Sequence, residues 1–175
     1  MYDSSFFLFL GGYIDKSKND KLRMYEISNK YIEYLSKFDS KVSLKENRKF
    51  YGILIRKCEI DYYIPFTSKI NKKTNSKLTV NIKDENKVIA KLLLNNMIPV
   101  DIKEAHIVNV SNSKYKTYYM REIRYLRSLK VQKEIIRKTE NIFKVLEDEK
   151  HYDYQFFKRI CCDYKILEEK YKEYK

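Results

Sequence analysis

Residues 50–55, FYGILI, and 61–66, DYYIPF, are two short apolar runs rich in aromatic and β-branched side chains, and reading them as strands decides the fold. Three runs of similar character follow: KLTVNI at 77–82, MIPVDI at 97–102 and HIVNV at 106–110. Together they predict an antiparallel sheet. Pro65 and Pro99 are expected near strand ends or at an edge, because proline has no N–H to give to a ladder, and Gly52 marks a bulge or a close backbone approach. Residues 87–95, KVIAKLLLN, read either as a strand or as a helical turn.

Before the sheet, Ile27, Tyr31, Leu35 and Phe38 recur at helical spacing, with Ser28 as N-cap and Asp39-Ser40 as a stop. This predicts an amphipathic first helix with Tyr31 facing inward. After the sheet the pattern is helical again, from Tyr115 to about Lys130 and from Val131 to about Lys150. A last helix starts at Tyr154 and carries Phe157, Ile160, Cys161, Tyr164, Leu167 and Tyr171 on one face. The fold class is therefore α+β with a helical C-terminal third. Residues 13–23, YIDKSKNDKLR, read as a linker, so residues 1–22 are expected to be an N-terminal extension and 23–175 a single domain.

Thirty-seven Lys and Arg against 24 Asp and Glu give a formal charge of +13, which attracts polyanions and makes their binding salt-dependent. Seventeen Tyr and nine Phe supply rings on which unpaired RNA bases can stack, although most must serve the core. Lys, Asn, Ile and Tyr also share AT-rich codons, so composition alone leaves nucleic-acid binding and genome bias both open. The three cysteines, Cys58, Cys161 and Cys162, have neither zinc-ligand spacing nor a disulfide framework, which fits a reducing cytoplasm. The apolar stretch Phe6 to Leu10 has no positive leader and is shorter than a secretory core, and no run approaches the roughly 20 apolar residues that span a bilayer. A soluble, cytoplasmic protein is expected, with no membrane partner.

Cutting RNA without a metal requires a group that takes the 2′-hydroxyl proton, a group that protonates the 5′-oxygen, and cations for the phosphorane. Only His106 and His151 are available as a histidine pair, and nothing in the sequence joins them. A metal nuclease of the D…ExK kind can be drawn from Asp61, Glu85 and Lys87, but Glu85 and Lys87 fall in what reads as a hairpin turn rather than a strand. Three glycines in the chain exclude a Gly-rich phosphate loop. What remains is the polar loop after DYYIPF, where Thr67, Ser68 and Lys69 are followed closely by Lys72 and Lys73. Hydroxyls can bond phosphate oxygens there, and lysine can stabilise a phosphorane or exchange a proton. The same residues also read as an ordinary solvated turn.

The blocks MYEISNKYIEYLSKFD at 24–39, RKFYGILI at 48–55, YYIPFTSK at 62–69, NNMIPV at 95–100, YKTYYMREIRYLR at 115–127 and ILEEKYKEY at 166–174 resemble, in this order, the ToxN/AbiQ family of type III toxin-antitoxin systems. The likeness is nearest to its CptN-like branch. The resemblance implies a compact, strongly twisted antiparallel sheet or partial barrel, with a MazF/Kid-like core and flanking helices. It implies a sequence-selective, metal-independent endoribonuclease toxin that leaves a 2′,3′-cyclic phosphate and needs no cofactor. The implied antitoxin is a repeated, pseudoknotted RNA rather than a protein. Toxin and RNA would close into a head-to-tail assembly, and cellular or phage RNA would be the substrate.

On this resemblance the hydroxyl pair falls on Thr67 and Ser68 and the first-helix tyrosine on Tyr31. The basic residue before the first strand falls on Arg48 or Lys49, and the lysine after the serine on Lys69 or Lys72; Lys73 is expected to contact RNA beside them. Charge clustering adds Lys114, Lys116, Arg121 and Arg124 as cations lining an RNA groove. The competing reading is a non-catalytic, basic RNA-binding protein using the same surface.

Overall fold

The computed structural model of the chain describes residues 6–8, 23–42, 51–70 and 74–174. Arg48, Lys49, Lys72, Lys73 and nearly all of the expected linker lie outside them. The described chain runs β1 (Phe6–Leu8), β2 (Tyr25–Ile27), α1 (Asn29–Ser36), β3 (Tyr51–Lys57), β4 (Ile60–Thr67), β5 (Thr79–Asp84), β6 (Lys87–Leu93), β7 (Ile98–Val100) and β8 (Ala105–Ile107). Four helices close it: α2 (Lys116–Leu126), α3 (Leu129–Glu147), α4 (Tyr154–Ile160) and α5 (Tyr164–Glu173).

The paired strands are antiparallel and the sheet is open, in the order β5-β6-β4-β3-β2-β8. Its centre is the β3–β4 hairpin, closed by the two-residue turn Cys58-Glu59 and clamped beside it by Arg56, whose guanidinium bonds Asp61 at 2.7 and 2.9 Å. Each side of the hairpin is covered by two short strands in succession. β1 and then β2 lie along β3, while β7 and then β6 lie along β4. Pro65 sits at the changeover on β4, where pairing with β7 ends at Tyr63 and pairing with β6 begins at Phe66. Pro99 lies in β7, which among the described residues pairs with β4 alone. Both prolines thus occupy places that need no complete ladder. Gly52 marks a close approach, since a Cβ there would lie 2.2 Å from the Ile64 carbonyl oxygen and 2.4 Å from the Tyr63 ring.

The central strands are apolar in unbroken runs because both faces of the sheet are covered. Ile53, Ile55, Tyr62 and Ile64 point to one face, where Ile135, Ile142 and Phe143 of α3 and Phe157 of α4 pack. The alternate residues Leu54 and Tyr63 point to the other, against Tyr31 and Leu35 of α1 and Leu167 of α5. A third cluster, Met24, Tyr119 and Ile123 with half-buried Tyr51, Phe66 and Tyr118, seats α2 near the open end of the hairpin.

Two sequence expectations need correction, and one open reading is decided. Ile27 belongs to β2, not the first helix; Ser28 does cap α1, accepting from the Tyr31 N–H at 3.2 Å, and the helix ends before Phe38, which is exposed. The ambiguous segment 87–95 is a strand through Leu93 followed by a short 3-10 turn. The last helix is two helices: Cys161 is extended, and Asp163 caps α5 by accepting from the Ile166 N–H. Apolar spacing persisted across that break, because α5 restarts with Tyr164 packed in the same cluster as Phe157 and Cys161 before Leu167 turns to the other cluster.

Candidate functional site

β4 ends in Phe66 and Thr67, paired with Leu92 and Lys91 of β6, and the chain then turns outward. The turn is held by its own backbone: the Lys69 N–H donates to Thr67 Oγ1 at 3.2 Å and the Ile70 N–H donates to the Ser68 carbonyl at 2.9 Å. Ser68 and Lys69 are exposed and Thr67 is half-buried. Across the ladder from Thr67, the Lys91 ammonium donates to Thr74 Oγ1 at 3.2 Å. A shallow cavity of about 300 Å³ lies beside the turn, walled by Ile70, Thr74, Thr79, Asn81, Val88 and Lys91. Hydroxyl, amide and ammonium groups thus converge next to the Thr67-Ser68-Lys69 turn.

α2 adjoins this end of the sheet. Tyr118 packs in the cluster that holds Phe66, the residue before Thr67, and its hydroxyl donates to the Ile89 carbonyl of β6 at 2.5 Å. Lys116 and Arg124 are exposed on the helix, and Lys114 lies just before it with its ammonium 5.0 Å from the Tyr115 ring. Arg121 is paired with Asp84 of β5 at 3.2 Å. The same helix carries a group that the sequence reading passed over, Glu122, which is buried. Burial pushes its carboxyl up to about 7, against the lowering effect of a hydrogen bond with Tyr118. Its signal was available: Glu122 falls in register with Tyr119, Ile123 and Leu126 on the buried face.

Tyr31 is placed elsewhere. It is wholly buried, donates its hydroxyl to the Pro99 carbonyl at 2.7 Å and meets the Tyr174 ring edge-on at 4.8 Å. Burial holds its pKa well above the ordinary phenol value. Pro99 lies opposite Tyr62, five residues before Thr67, or roughly 16 Å along the strand. Tyr31 is therefore not brought to the turn. Nor does the fold assemble the alternatives. Asp61 and Glu85 lie on opposite sides of the Thr67–Lys91 pair, separated by roughly 40 Å of strand, and Asp61 is engaged by Arg56. His106 stands opposite Glu26 on β8, while His151 accepts from the Asp153 N–H at 3.1 Å and stacks on Tyr152. Among the described residues no helix is long and apolar enough to cross a membrane.

The family described as "Toxin ToxN, type III toxin-antitoxin system" matches residues 23–172. The chain is 31% identical over 171 residues to Endoribonuclease ToxN of Bacillus thuringiensis subsp. kurstaki, covering 91% of this chain and 87% of that protein. It is 28% identical over 166 residues to Endoribonuclease AbiQ of Lactococcus lactis subsp. lactis, covering 85% and 87%. A solved structure from work on selective toxin inhibition by a non-coding RNA pseudoknot superposes with a TM-score of 0.79 at 31% identity, covering 88% of this chain and 98% of that one.

Proposed function

From the premise that this chain belongs to the ToxN family of type III toxin-antitoxin toxins, we propose that it is an endoribonuclease that cuts RNA at the Thr67-Ser68-Lys69 turn. The relatives' activity supports the reaction class. The observation that carries the site is the exposed turn of two hydroxyls and a lysine beside Lys91 and next to the cationic helix α2.

In this reading the RNA 2′-oxygen attacks the adjacent phosphorus, a new O2′–P bond forms, and the P–O5′ bond breaks. The 2′-hydroxyl proton is lost and a proton is gained by the 5′-oxygen, leaving a 2′,3′-cyclic phosphate and a 5′-hydroxyl, with no metal ion in the reaction. Ser68 and Thr67 hydrogen-bond the phosphate oxygens, and Lys69 stabilises charge on the phosphorane. Lys91 joins Lys69 as a second cation near the turn, while Lys114, Lys116 and Arg124 hold the RNA backbone. Arg48 or Lys49, together with Lys72 and Lys73, enter this proposal on the family resemblance. Tyr31 we assign to anchoring α1 against β7.

The inhibitor in this proposal is a repeated pseudoknot RNA that covers the same face and closes with the toxin into a cyclic assembly, as inhibition of the solved relative by an RNA pseudoknot suggests by analogy. The substrates are cellular or phage RNA in the bacterial cytoplasm. A MazF/Kid-like descent of the antiparallel core and a place in the CptN-like branch belong to the same proposal.

Ser68→Ala is the test. Removing one phosphate-binding donor costs on the order of 10²–10³ in rate, so induction of the variant should leave growth intact. Mapping of 5′-hydroxyl ends should show cuts for the unaltered chain, with or without EDTA, and none for the variant. Full toxicity of Ser68→Ala would overturn the site. Tight RNA binding without any cuts would make the chain a binding protein instead.

A further inference from the structure

Tyr152 is 82% exposed, the most of any large apolar or aromatic side chain among the described residues. Single rings left in water are common, but this one is held in a fixed orientation. His151 stacks on one face, with ring centres 4.5 Å apart and planes 26° from parallel. Both residues sit in the turn between α3 and α4, which is pinned by its own hydrogen bonds. The His151 N–H donates to the Asp148 carbonyl at 3.0 Å, the Tyr154 N–H to the His151 carbonyl at 2.9 Å, and the Asp153 N–H to His151 Nδ1 at 3.1 Å. The Lys77 ammonium is 3.4 Å from the Tyr152 hydroxyl and 5.1 Å from the ring centre, so it lies toward the hydroxyl end rather than over the ring. The face turned away from His151 is therefore open among the described residues.

This ring is tied to the candidate site. Lys77 also donates to Asp153 at 2.5 Å, which fastens the α3–α4 turn to the segment Thr74-Asn75-Ser76-Lys77 leading into β5. That segment is compact: the Leu78 N–H donates to the Asn75 carbonyl at 3.0 Å, closing a β-turn, and the Lys77 N–H donates to Asn75 Oδ1 at 2.8 Å. At its start Thr74 accepts from Lys91, the cross-strand partner of Thr67. A polar surface thus runs from Thr67 through Lys91, Thr74, Asn75 and Lys77 to Tyr152. An ammonium has three donors. Lys77 uses two of them on Asp153 and Tyr152, and the third, on a side chain 46% exposed, is left for a phosphate.

We propose that Tyr152, backed by His151, is a stacking platform for an unpaired base of the RNA strand that passes through the Thr67-Ser68-Lys69 turn. The platform stands on the geometry; the path of the strand to the turn rests on the endoribonuclease reading. A base laid on the open face replaces water there, and little side-chain freedom is lost because the ring is already held. Excess positive charge on the chain draws the strand in. Every base has a π face, so the contact tolerates any sequence and sets affinity rather than the choice of cut. Bases inside a duplex are stacked on one another and cannot use it. Tyr152 is accordingly a binding residue that favours unpaired RNA.

The chain contains no Trp, so Tyr152→Trp puts a single indole on the platform. The probe is a short 2′-O-methyl oligoribonucleotide of mixed sequence, which has no free 2′-hydroxyl to attack with, beside an abasic strand of equal charge. Indole emission should be quenched by the mixed-base strand and not by the abasic one. Tyr152→Ala should keep its Tm, bind the mixed-base strand about tenfold more weakly and bind the abasic strand as before. In cutting of unpaired RNA it should raise KM to the same extent and leave kcat unchanged. Unchanged indole emission on adding the mixed-base strand would overturn the platform. So would an Ala variant that loses affinity equally for both strands, or for neither. If quenching and the Ala loss are seen but no chain cuts RNA, the endoribonuclease reading falls and the platform stands. Weaker binding with an unchanged KM for cutting would keep the platform and overturn its place on the path to the turn.

Discussion

A phenol that is wholly buried and bonded to a backbone carbonyl is poorly placed to carry protons for a reaction, and Tyr31 is such a phenol. Removing its hydroxyl takes a buried hydrogen bond away from the Pro99 carbonyl, which costs on the order of 1 kcal/mol. We expect Tyr31→Phe to unfold at lower denaturant concentration while the folded fraction cuts RNA at its former rate. Unchanged stability with lost cutting would return Tyr31 to the reaction. Family resemblance pointed to Tyr31 and Ser68 alike, and the apolar spacing of the first helix already said that Tyr31 faces inward. What the sequence could not show was the Pro99 bond, because it joins residues far apart in the chain. Lys91 was hidden differently: its segment fitted two secondary structures, and only as a strand does it stand opposite Thr67.

At the scale of elements, the β3–β4 and β5–β6 hairpins each turn through two residues, and each places a non-glycine residue in the left-handed region: Cys58 at φ 52° and Glu85 at φ 53°. That conformation costs an L-residue roughly 1–2 kcal/mol, which glycine avoids at some entropic cost. Glu85→Gly should therefore raise Tm by a few degrees and leave RNA cutting intact. Lost cutting would instead revive a role for Glu85 in chemistry. The strands were legible because a sheet covered on both faces writes itself as continuous apolar runs, as in Ile53–Ile55 and Tyr62–Ile64. The break between α4 and α5 was not, because Asp163 reads as one more polar residue until its side chain is seen capping Ile166. Ile27 was misassigned for a related reason: one apolar residue at the right interval suits the end of a strand as well as a helical face.

Across the whole molecule the candidate site and the N-terminal strand occupy opposite ends of the central hairpin. β1 lies along Ile55–Lys57, next to the Cys58-Glu59 turn, whereas Thr67 is at the open end. Removing residues 1–22 should thus lower Tm, by roughly 3 °C for each kcal/mol lost, and leave cutting by the folded protein unchanged. Growth arrest that disappears with the truncation, while the purified chain stays folded, would show that the extension acts in the site itself.

The two-residue closure of the β3–β4 hairpin also has a kinetic meaning. Its contacts are among the most local in the sheet, while β2 meets β8 only by bringing Tyr25 to Ile107. Loop-closure cost grows with the length spanned, so the hairpin is expected to order early and the β2–β8 ladder late. The Thr67-Ser68-Lys69 turn hangs from the early piece. Helix α2 packs on Met24, beside β2, and on Val108 and Val110, beyond β8, so it belongs to the late one. On the proposed reading of the site, a chain still emerging from the ribosome carries the turn before α2 has docked beside it, so its capacity to cut RNA is expected to arrive only as synthesis and folding near completion.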